Sequence, residues 1–372
     1  MVFNLLPIYP LDGFRIVDVF VRRRGKVYWF LRTKAEHWTK CSVCGTIDET
    51  SRKAHHYDGA TDTTCNGCSF TCPTLAFYGA NLTLENDLTV NFVVQKSLID
   101  SSGIKNPYVV FTLGNRTVKV TEYRLEQGYY AFAFKNLAPQ LIGDTFQATL
   151  YATYQGREYS SATANYAITR YCGQVFADAK AAPKLKTLIA DLILYGSAAQ
   201  QYVGYKTDAL VKDQFAEAVA AYATKTVPNA TSVSNGKYKE IANPTVSLTG
   251  ASLNLSEAVA IQLQFTATNV KGLTAQVRDT NGKLLATLTE EEITKSGSTY
   301  TLFYKGLNAG EMRKPVFITF YDASGTAVSN TLRYSVESYV AIVHQYGGDA
   351  KLVALLDAML NYGISAEIYA NK

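Results

Sequence analysis

Leu188-Ile-Ala-Asp-Leu-Ile-Leu-Tyr195-Gly196-Ser-Ala-Ala199 returns in this chain, in altered form, as Leu355-Leu-Asp-Ala-Met-Leu-Asn-Tyr362-Gly363-Ile-Ser-Ala366. The two copies are 167 residues apart, since 362 − 195 = 167. In each copy apolar residues recur at i, i+3, i+4 and i+7, a pattern that predicts a helix with one buried face. Glycine inside a helix costs about 1 kcal/mol relative to alanine. The same glycine in both copies therefore predicts that each helix approaches a packing surface closely.

The duplication extends upstream of both helices. Residues 166–171 correspond to residues 334–339, and residues 79–84 correspond to residues 250–255. A period this long exceeds the roughly 20 to 50 residues of a solenoid repeat, so it indicates tandem domains. Short runs rich in β-branched and aromatic residues, separated by turn residues, precede the helices of each repeat, which is typical of antiparallel sandwiches.

These patterns predict a chain that is mainly β with some α. We expect two tandem antiparallel β-sandwich domains of immunoglobulin-like size, each followed by C-terminal helices, and a small Cys-rich, zinc-ribbon-like segment before them. The helices of the first repeat are expected from about Ile168, Lys184 and Thr207. The predicted division is an N-terminal segment of uncertain role at 1–36, a Cys-rich knob at 37–74, the first repeat at 75–226, a linker at 227–243 and the second repeat at 244–372.

Composition limits the classes of partner. Charged residues make up 18% of the 372 residues, below the usual quarter or so, whereas tyrosine (26) and phenylalanine (17) are plentiful. The net charge of +5 is small for this length, so attraction to nucleic acid or to an anionic membrane is not expected. The sequence contains neither a membrane-spanning apolar run nor a recognisable secretory signal. We therefore expect either a cytosolic protein or, alternatively, a fragment or wrongly started reading frame of a longer exported protein.

Two C-x2-C turns carry the clearest chemical signal. Cys41 and Cys44 form the first, Cys65 and Cys68 form the second, and 20 residues lie between them because 65 − 44 − 1 = 20. This spacing is at the edge of that expected for a structural zinc site. Each turn directs two thiolates to one side of a tight loop, and two turns can surround one ion. The sequence therefore predicts a structural Zn²⁺ held by these four cysteines.

Two alternatives remain open for the same segment. His37 precedes the first cysteine pair and His55 or His56 precedes the second, so a mixed Cys/His site also fits the pattern. Disulfide pairing in an oxidising compartment is the other alternative. A catalytic zinc ion would need an open coordination position and a neighbouring acid or base. Cys72 and Cys172 have no assigned role.

The second cysteine pair lies in a longer recognisable segment. His55-His-Tyr-Asp58-Gly-Ala-Thr-Asp62-Thr-Thr-Cys65-Asn66-Gly-Cys68 resembles the HxYDNxCDxxCNxCG segments of large surface-exposed proteins of gut Firmicutes. The sandwich-plus-helix elements that follow are similar to modules of the same proteins. Thr61 replaces one cysteine of the family pattern, and Ser69 replaces the glycine after Cys68. The resemblance implies export and a place in a multidomain surface assembly, and it implies no catalytic residues.

A second, shorter resemblance lies at the N-terminus. Asn4-Leu-Leu-Pro7-Ile-Tyr-Pro10-Leu-Asp12-Gly13 resembles the NxxPxxPLDG motif of site-2-type intramembrane metalloproteases, in which the aspartate binds zinc. This sequence has no HExxH helix before the motif, Phe14 replaces the second glycine, and charged residues follow it. A short motif without its structural context is weak evidence. A remnant of such a protease is therefore the least favoured interpretation.

The sequence contains no serine elbow, phosphate loop or paired-carboxylate motif, so we expect no enzyme. Sandwich domains can hold sugars on aromatic rings, and four tyrosines are candidates, although alternate strand tyrosines also pack across strands. These candidates are Tyr129, Tyr130, Tyr151 and Tyr154. The predicted function is a non-enzymatic interaction, adhesion or spacer module of a bacterial surface or secreted protein, with a glycan or another surface protein as partner.

The alternative function is nucleic-acid binding through the zinc-ribbon-like knob. Arg22-Arg-Arg24-Gly-Lys26 lies beside it, and residues 1–75 hold ten Lys/Arg against seven Asp/Glu, a net charge of +3. A nucleic-acid-binding domain usually has a stronger basic surface. We therefore expect no nucleic-acid partner.

Overall fold

The structure of the chain is a computed structural model. It describes residues 20–23, 26–32, 36–41, 46–68, 70–84, 88–101, 103–225, 236–255 and 259–371. The protease-like motif at 4–13, Cys44 and most of the predicted linker lie outside these residues. As expected, the described chain is mainly β with helices, and its strands form several antiparallel sheets.

An N-terminal sheet joins the uncertain segment to the predicted knob. Its four strands pair in the order β1-β2-β3-β4, and each neighbouring pair is antiparallel. The strands are β1 (Phe20–Arg23), β2 (Lys26–Arg32), β3 (Glu36–Cys41) and β4 (Ile47–Ala54).

Two sheets follow the knob. Their strands are β5 (Gly79–Thr83), β6 (Thr89–Gln95), β7 (Ile104–Leu113), β8 (Arg116–Val120), β9 (Arg124–Glu126), β10 (Tyr129–Phe134), β11 (Thr145–Tyr154), β12 (Arg157–Ser160) and β13 (Ala164–Ala167), with a short helix α1 (Lys96–Ser101) after β6. One sheet has the order β5-β6-β10-β9, and the other has the order β12-β11-β7-β8 with β13 also paired to β11. Every second residue of β11 from Phe146 to Ala152 is fully buried, the period of a strand with one core face. Phe92 and Phe111 meet edge to face at 5.6 Å and join the two sheets in the core.

The second repeat contains two comparable sheets. Their strands are β14 (Gly236–Lys239), β15 (Val246–Asn254), β16 (Ala260–Ala267), β17 (Thr274–Arg278), β18 (Leu284–Thr289), β19 (Thr294–Ser296), β20 (Thr299–Tyr304), β21 (Val316–Tyr321) and β22 (Thr331–Tyr334). The strand orders are β14-β22-β21-β17-β18 and β15-β16-β20-β19. Phe265 of one sheet and Phe320 of the other pack with ring centroids 4.6 Å apart.

The longer helices follow the sheets of each repeat. They are α2 (Ile168–Ala177), α3 (Pro183–Val203), α4 (Ala216–Tyr222), α5 (Val336–Tyr346) and α6 (Ala350–Ala370). The helix expected from about Thr207 begins later, with a 3-10 turn at Val211–Phe215. Gln200 explains the delay, because its side-chain amide accepts from Val211 N at 2.9 Å and donates to Ala209 O at 3.4 Å. The backbone before Val211 is thereby held outside a helix.

The repeated glycines lie where the helices touch 3-10 turns of their own repeats. A Cβ on Gly196 would lie 3.1 Å from Pro139 O, in the turn Pro139–Leu141. A Cβ on Gly363 would lie 2.9 Å from Ala309 O, in the turn Ala309–Glu311. The close approach predicted from the sequence is confirmed at both helices.

The described chain divides into two compact units. The first contains the described residues up to Asn81, with Asn91–Ala133 and Phe146–Asn165; the second contains Leu82–Val90, Phe134–Thr145 and the described residues from Tyr166 onwards. Both repeated helices belong to the second unit, where Tyr195 and Tyr362 stack with centroids 5.8 Å apart. Among the described helices, none combines the length and the apolar character needed to cross a membrane.

Candidate metal centre

The turn that carries Cys65 and Cys68 is a small hairpin. Thr64 and Thr71 form an antiparallel bridge, Cys65 N donates to Phe70 O at 2.9 Å, and Cys72 N donates to Thr63 O at 2.8 Å. Gly67 N also donates to Cys65 Sγ at 3.4 Å. The backbone thus fixes the thiols before any ligand binds.

Four side chains of the first unit converge at this turn. They are His37 from β3, His55 just after β4, and Cys65 and Cys68 from the turn, and their ligand atoms all lie within 4.8 Å of one another. Cys65 Sγ is 3.8 Å from His37 Nδ1, and Cys68 Sγ is 3.4 Å from His55 Nδ1. Around a tetrahedral zinc ion, a sulfur and a nitrogen ligand are separated by about 3.6 Å. The two measured sulfur–nitrogen distances fit that geometry.

Strand pairing brings the two histidines together. β3 and β4 are antiparallel, with Glu36 opposite Ala54 and His37 opposite Lys53. His55 directly follows β4 and therefore lies beside His37, with ring centroids 5.5 Å apart.

Gly67 leaves the space that the His37 ring occupies. A Cβ at this position would lie 2.7 Å from His37 Cε1 and 2.7 Å from His37 Nε2. Real Cβ atoms do not tolerate contacts this short. A side chain between the two cysteines would therefore force the imidazole to shift from its position beside the thiols.

The local environment favours the protonation states that bind metal. Burial lowers the pKa of His37, and the nearby His55 and Lys53 lower it further, so the neutral imidazole is favoured. Burial alone would raise the pKa of the Cys65 thiol, but hydrogen bonds from Gly67, His56 and Cys68 bring the pKa below its ordinary value. Histidine binds a metal ion as the neutral imidazole, and cysteine binds it as the thiolate. Both pKa shifts therefore support ion binding.

The loop carrying the turn is attached to the β11–β12 hairpin within the same unit. The Arg157 guanidinium lies 3.5 Å from the centre of the Tyr57 ring and donates to Gly59 O at 2.8 Å and to Asp62 O at 2.9 Å. Tyr159 Oη donates to Pro73 O at 2.8 Å. The candidate metal centre is thereby held against a sheet.

The structure describes the side chains of only two of the four predicted cysteine ligands. Cys65 and Cys68 come together as expected, whereas Cys44 and the side chain of Cys41 lie outside the described residues. The ligand atoms of the mixed Cys/His alternative do lie close together, and His37 and His55 supply its nitrogen atoms. The spacing of histidine before cysteine was the only sequence signal for these two ligands.

The predicted sugar-stacking tyrosines of β10 belong to two different ring pairs. Tyr129 stacks on Tyr78 with centroids 4.6 Å apart, and Tyr78 is 61% exposed. Tyr130 packs edge to face with Tyr123 at 4.8 Å and donates from its hydroxyl to Asp100 at 2.9 Å. Tyr78, the most exposed of these rings, was not among the tyrosines predicted to stack on sugars.

The tyrosines of β11 also belong to separate pairs. Tyr151 stacks on Tyr108 with centroids 5.1 Å apart and planes inclined by only 6°. Tyr154 lies near Phe70 with centroids 6.4 Å apart, next to the metal centre. The four predicted residues therefore do not form one continuous aromatic face.

Comparisons with known proteins give only distant structural matches. No protein-family profile and no curated protein sequence matches the chain. Among solved structures it is similar to the pullulanase type I from Bacillus subtilis str. 168 complexed with maltose, with 7% sequence identity and a TM-score of 0.16. That match covers 69% of this chain and 25% of the pullulanase chain. It is also similar to the cycloalternan-forming enzyme from Listeria monocytogenes in complex with a pentasaccharide substrate, with 14% identity and a TM-score of 0.17 over 73% of this chain and 20% of that chain. The chain thus spans only about a fifth to a quarter of those proteins.

Proposed function

We propose that this chain is a non-catalytic binding module of an exported surface protein, stabilised by a structural zinc ion. The observation that carries the proposal is the convergence of His37, His55, Cys65 and Cys68. Two imidazoles and two thiolates supply all four ligands of a tetrahedral zinc ion, whereas catalytic zinc sites keep one position for water or substrate. An ion held in this way stabilises the fold and leaves binding to the surrounding surface.

The sheets form the scaffold in this proposal. We take each pair of sheets as an immunoglobulin-like sandwich, supported by the ring contacts Phe92–Phe111 and Phe265–Phe320 between them. The resemblance of residues 55–68 to segments of surface-exposed proteins of gut Firmicutes supports export and a place in a multidomain assembly. The duplication supports a binding role, since two weak sites on one chain gain effective concentration.

Metal analysis of the purified full chain tests the proposal. We expect one zinc ion per chain, its loss in Cys65→Ser and His37→Ala, and its retention in Cys172→Ala, whose buried thiol lies outside the quartet. Chelation should lower the melting temperature of the wild type because binding free energy contributes to folding. A metal-free chain with a mass two or four daltons below that of the reduced form would show disulfides instead and would overturn the proposal.

A further inference from the structure

A groove lies beside the metal centre within the first unit. It has a volume of about 540 Å³ and is lined by residues of the segment 54–60, by Phe70 and Cys72, and by residues 154–158 of the β11–β12 hairpin. Sites for small ligands usually enclose about 300 to 1,000 Å³. The groove is therefore large enough for a ligand of a few rings.

Aromatic rings form one continuous part of the lining. Phe70 stacks on His55 with centroids 4.4 Å apart and an angle of 11° between the planes. Tyr154 continues the series beyond Phe70, at 6.4 Å and 22°. Flat ligands with apolar C–H faces, such as sugar rings, pack on aromatic rings of this kind. The ring series gives the groove a surface for stacking.

An unsatisfied acceptor lies in the same lining. Gln155 Oε1 is buried and has no hydrogen-bond partner among the residues that the structure describes. Gln155 and Gly156 both have positive φ, at 52° and 86°, as the two central residues of a tight hairpin turn. A buried acceptor of this kind needs a donor. A ligand hydroxyl can supply it once the Gln155 side chain turns toward the groove, because the oxygen is closed to solvent in this structure.

The charges of the groove argue against an anionic ligand. The guanidinium of Arg157, which lines the groove, already donates to Gly59 O and Asp62 O. The carboxylate of Glu158 also lies in the lining. An anion would find little free positive charge there, whereas a neutral hydroxylated ligand would find rings and an acceptor.

We infer that this groove binds a neutral oligosaccharide, with a sugar ring stacked on Tyr154 and Phe70 and a hydroxyl donating to Gln155 Oε1. The inference rests on the proposed function, because one wall of the groove belongs to the loop that the metal ion would hold. The aromatic pairs Tyr78–Tyr129 and Tyr108–Tyr151 do not line the groove and are not part of the site.

Calorimetric titration of the full zinc-loaded chain tests this site. The probes are maltohexaose, cellohexaose, xylohexaose and the hexamer of N-acetylglucosamine, each to millimolar concentration. We expect at least one of them to bind, Tyr154→Ala to weaken that binding about fivefold or more, and Tyr154→Phe to retain it, since phenylalanine keeps the stacking face. Gln155→Gly should also weaken binding, because glycine accepts the positive φ but removes the acceptor.

Tyr151→Ala is the matched control, a tyrosine of the same strand outside the groove, and it should bind like the wild type. Binding of none of the probes, or equal binding by Tyr154→Ala and the wild type, overturns the oligosaccharide site. Zinc content measured in the same samples separates the two proposals. A zinc-loaded chain that binds no probe contradicts only the groove, whereas a chain without zinc contradicts the proposed function.

Discussion

At the scale of single residues, the metal centre depends on which side chains can reach one point. The sequence placed Cys65 and Cys68 in one turn because a spacing of two residues between cysteines is typical of metal-binding turns, and in the structure both belong to the cluster. It predicted Cys41 as a ligand and kept His37 as an alternative, since the choice between them depends on the register of β3 against β4. Register is a long-range property, and a single sequence shows only the residue types available to it.

Gly67→Ala is the sharpest substitution at this scale. Its Cβ would lie 2.7 Å from two atoms of the His37 ring, so the imidazole must move away from Cys65. We expect zinc affinity, measured by competition with a chromogenic chelator, to fall at least about tenfold, in line with the sensitivity of metal sites to ligand placement. Gly59→Ala is the control, because a Cβ there meets nothing within 4 Å. Equal zinc affinity in the two variants would show that His37 is not a ligand.

At the scale of elements, the sequence predicted both repeated helices but did not indicate which surfaces they contact. Apolar spacing predicted α3 and α6, and the shared glycine predicted close approach. The 3-10 turns that the glycines contact gave no signal, because short turns lack a periodic pattern. Asp191 is a further residue whose contacts gave no signal in the sequence. It is 1% exposed and accepts hydrogen bonds from Thr224 and Ser365. Such a buried carboxylate is recognisable only once its donors are in place.

Replacing the helix glycines by alanine separates packing from helix propensity. Gly363→Ala places a Cβ 2.9 Å from Ala309 O, so we expect the free energy of unfolding to fall by about 1 to 3 kcal/mol through overpacking. Gly173→Ala, in α2, meets only Phe215 Cε1 at 3.8 Å and should gain up to about 1 kcal/mol from better helix propensity. Gly363→Leu should cost more than Gly363→Ala. Urea denaturation measures all three, and a Gly363→Ala chain as stable as Gly173→Ala would contradict the close approach.

At the scale of the whole chain, the duplication predicted two separable repeats, whereas the second compact unit contains helices of both. Tyr195 stacks on Tyr362 there, and Asp191 accepts from Ser365. The sequence could not show this association, since two similar apolar faces are equally compatible with packing on their own sheets. Mutual packing of the repeats would make them one cooperative structure.

Cutting the chain between the repeats tests that association. A protease recognition sequence inserted within residues 228–235 allows one specific cleavage in the predicted linker. We expect the two fragments to remain together in size-exclusion chromatography without denaturant, because α3 and α6 are joined by the stack of Tyr195 on Tyr362 and by the hydrogen bond from Ser365 to Asp191. A variant with the same protease recognition sequence in the β17–β18 turn at 280–282 is the control. It shows what a single cleavage elsewhere in the chain does. Fragments that separate at once as two stable species would support independent tandem domains instead.

Zinc K-edge X-ray absorption of the purified full chain distinguishes a zinc ion held by two histidines and two cysteines from one held by four cysteines. We expect two sulfur ligands at about 2.3 Å and two nitrogen ligands at about 2.0 Å. Cys41→Ser should leave that spectrum unchanged, and His55→Ala should alter it. Four sulfur ligands would instead support the set Cys41, Cys44, Cys65 and Cys68 and would contradict the quartet.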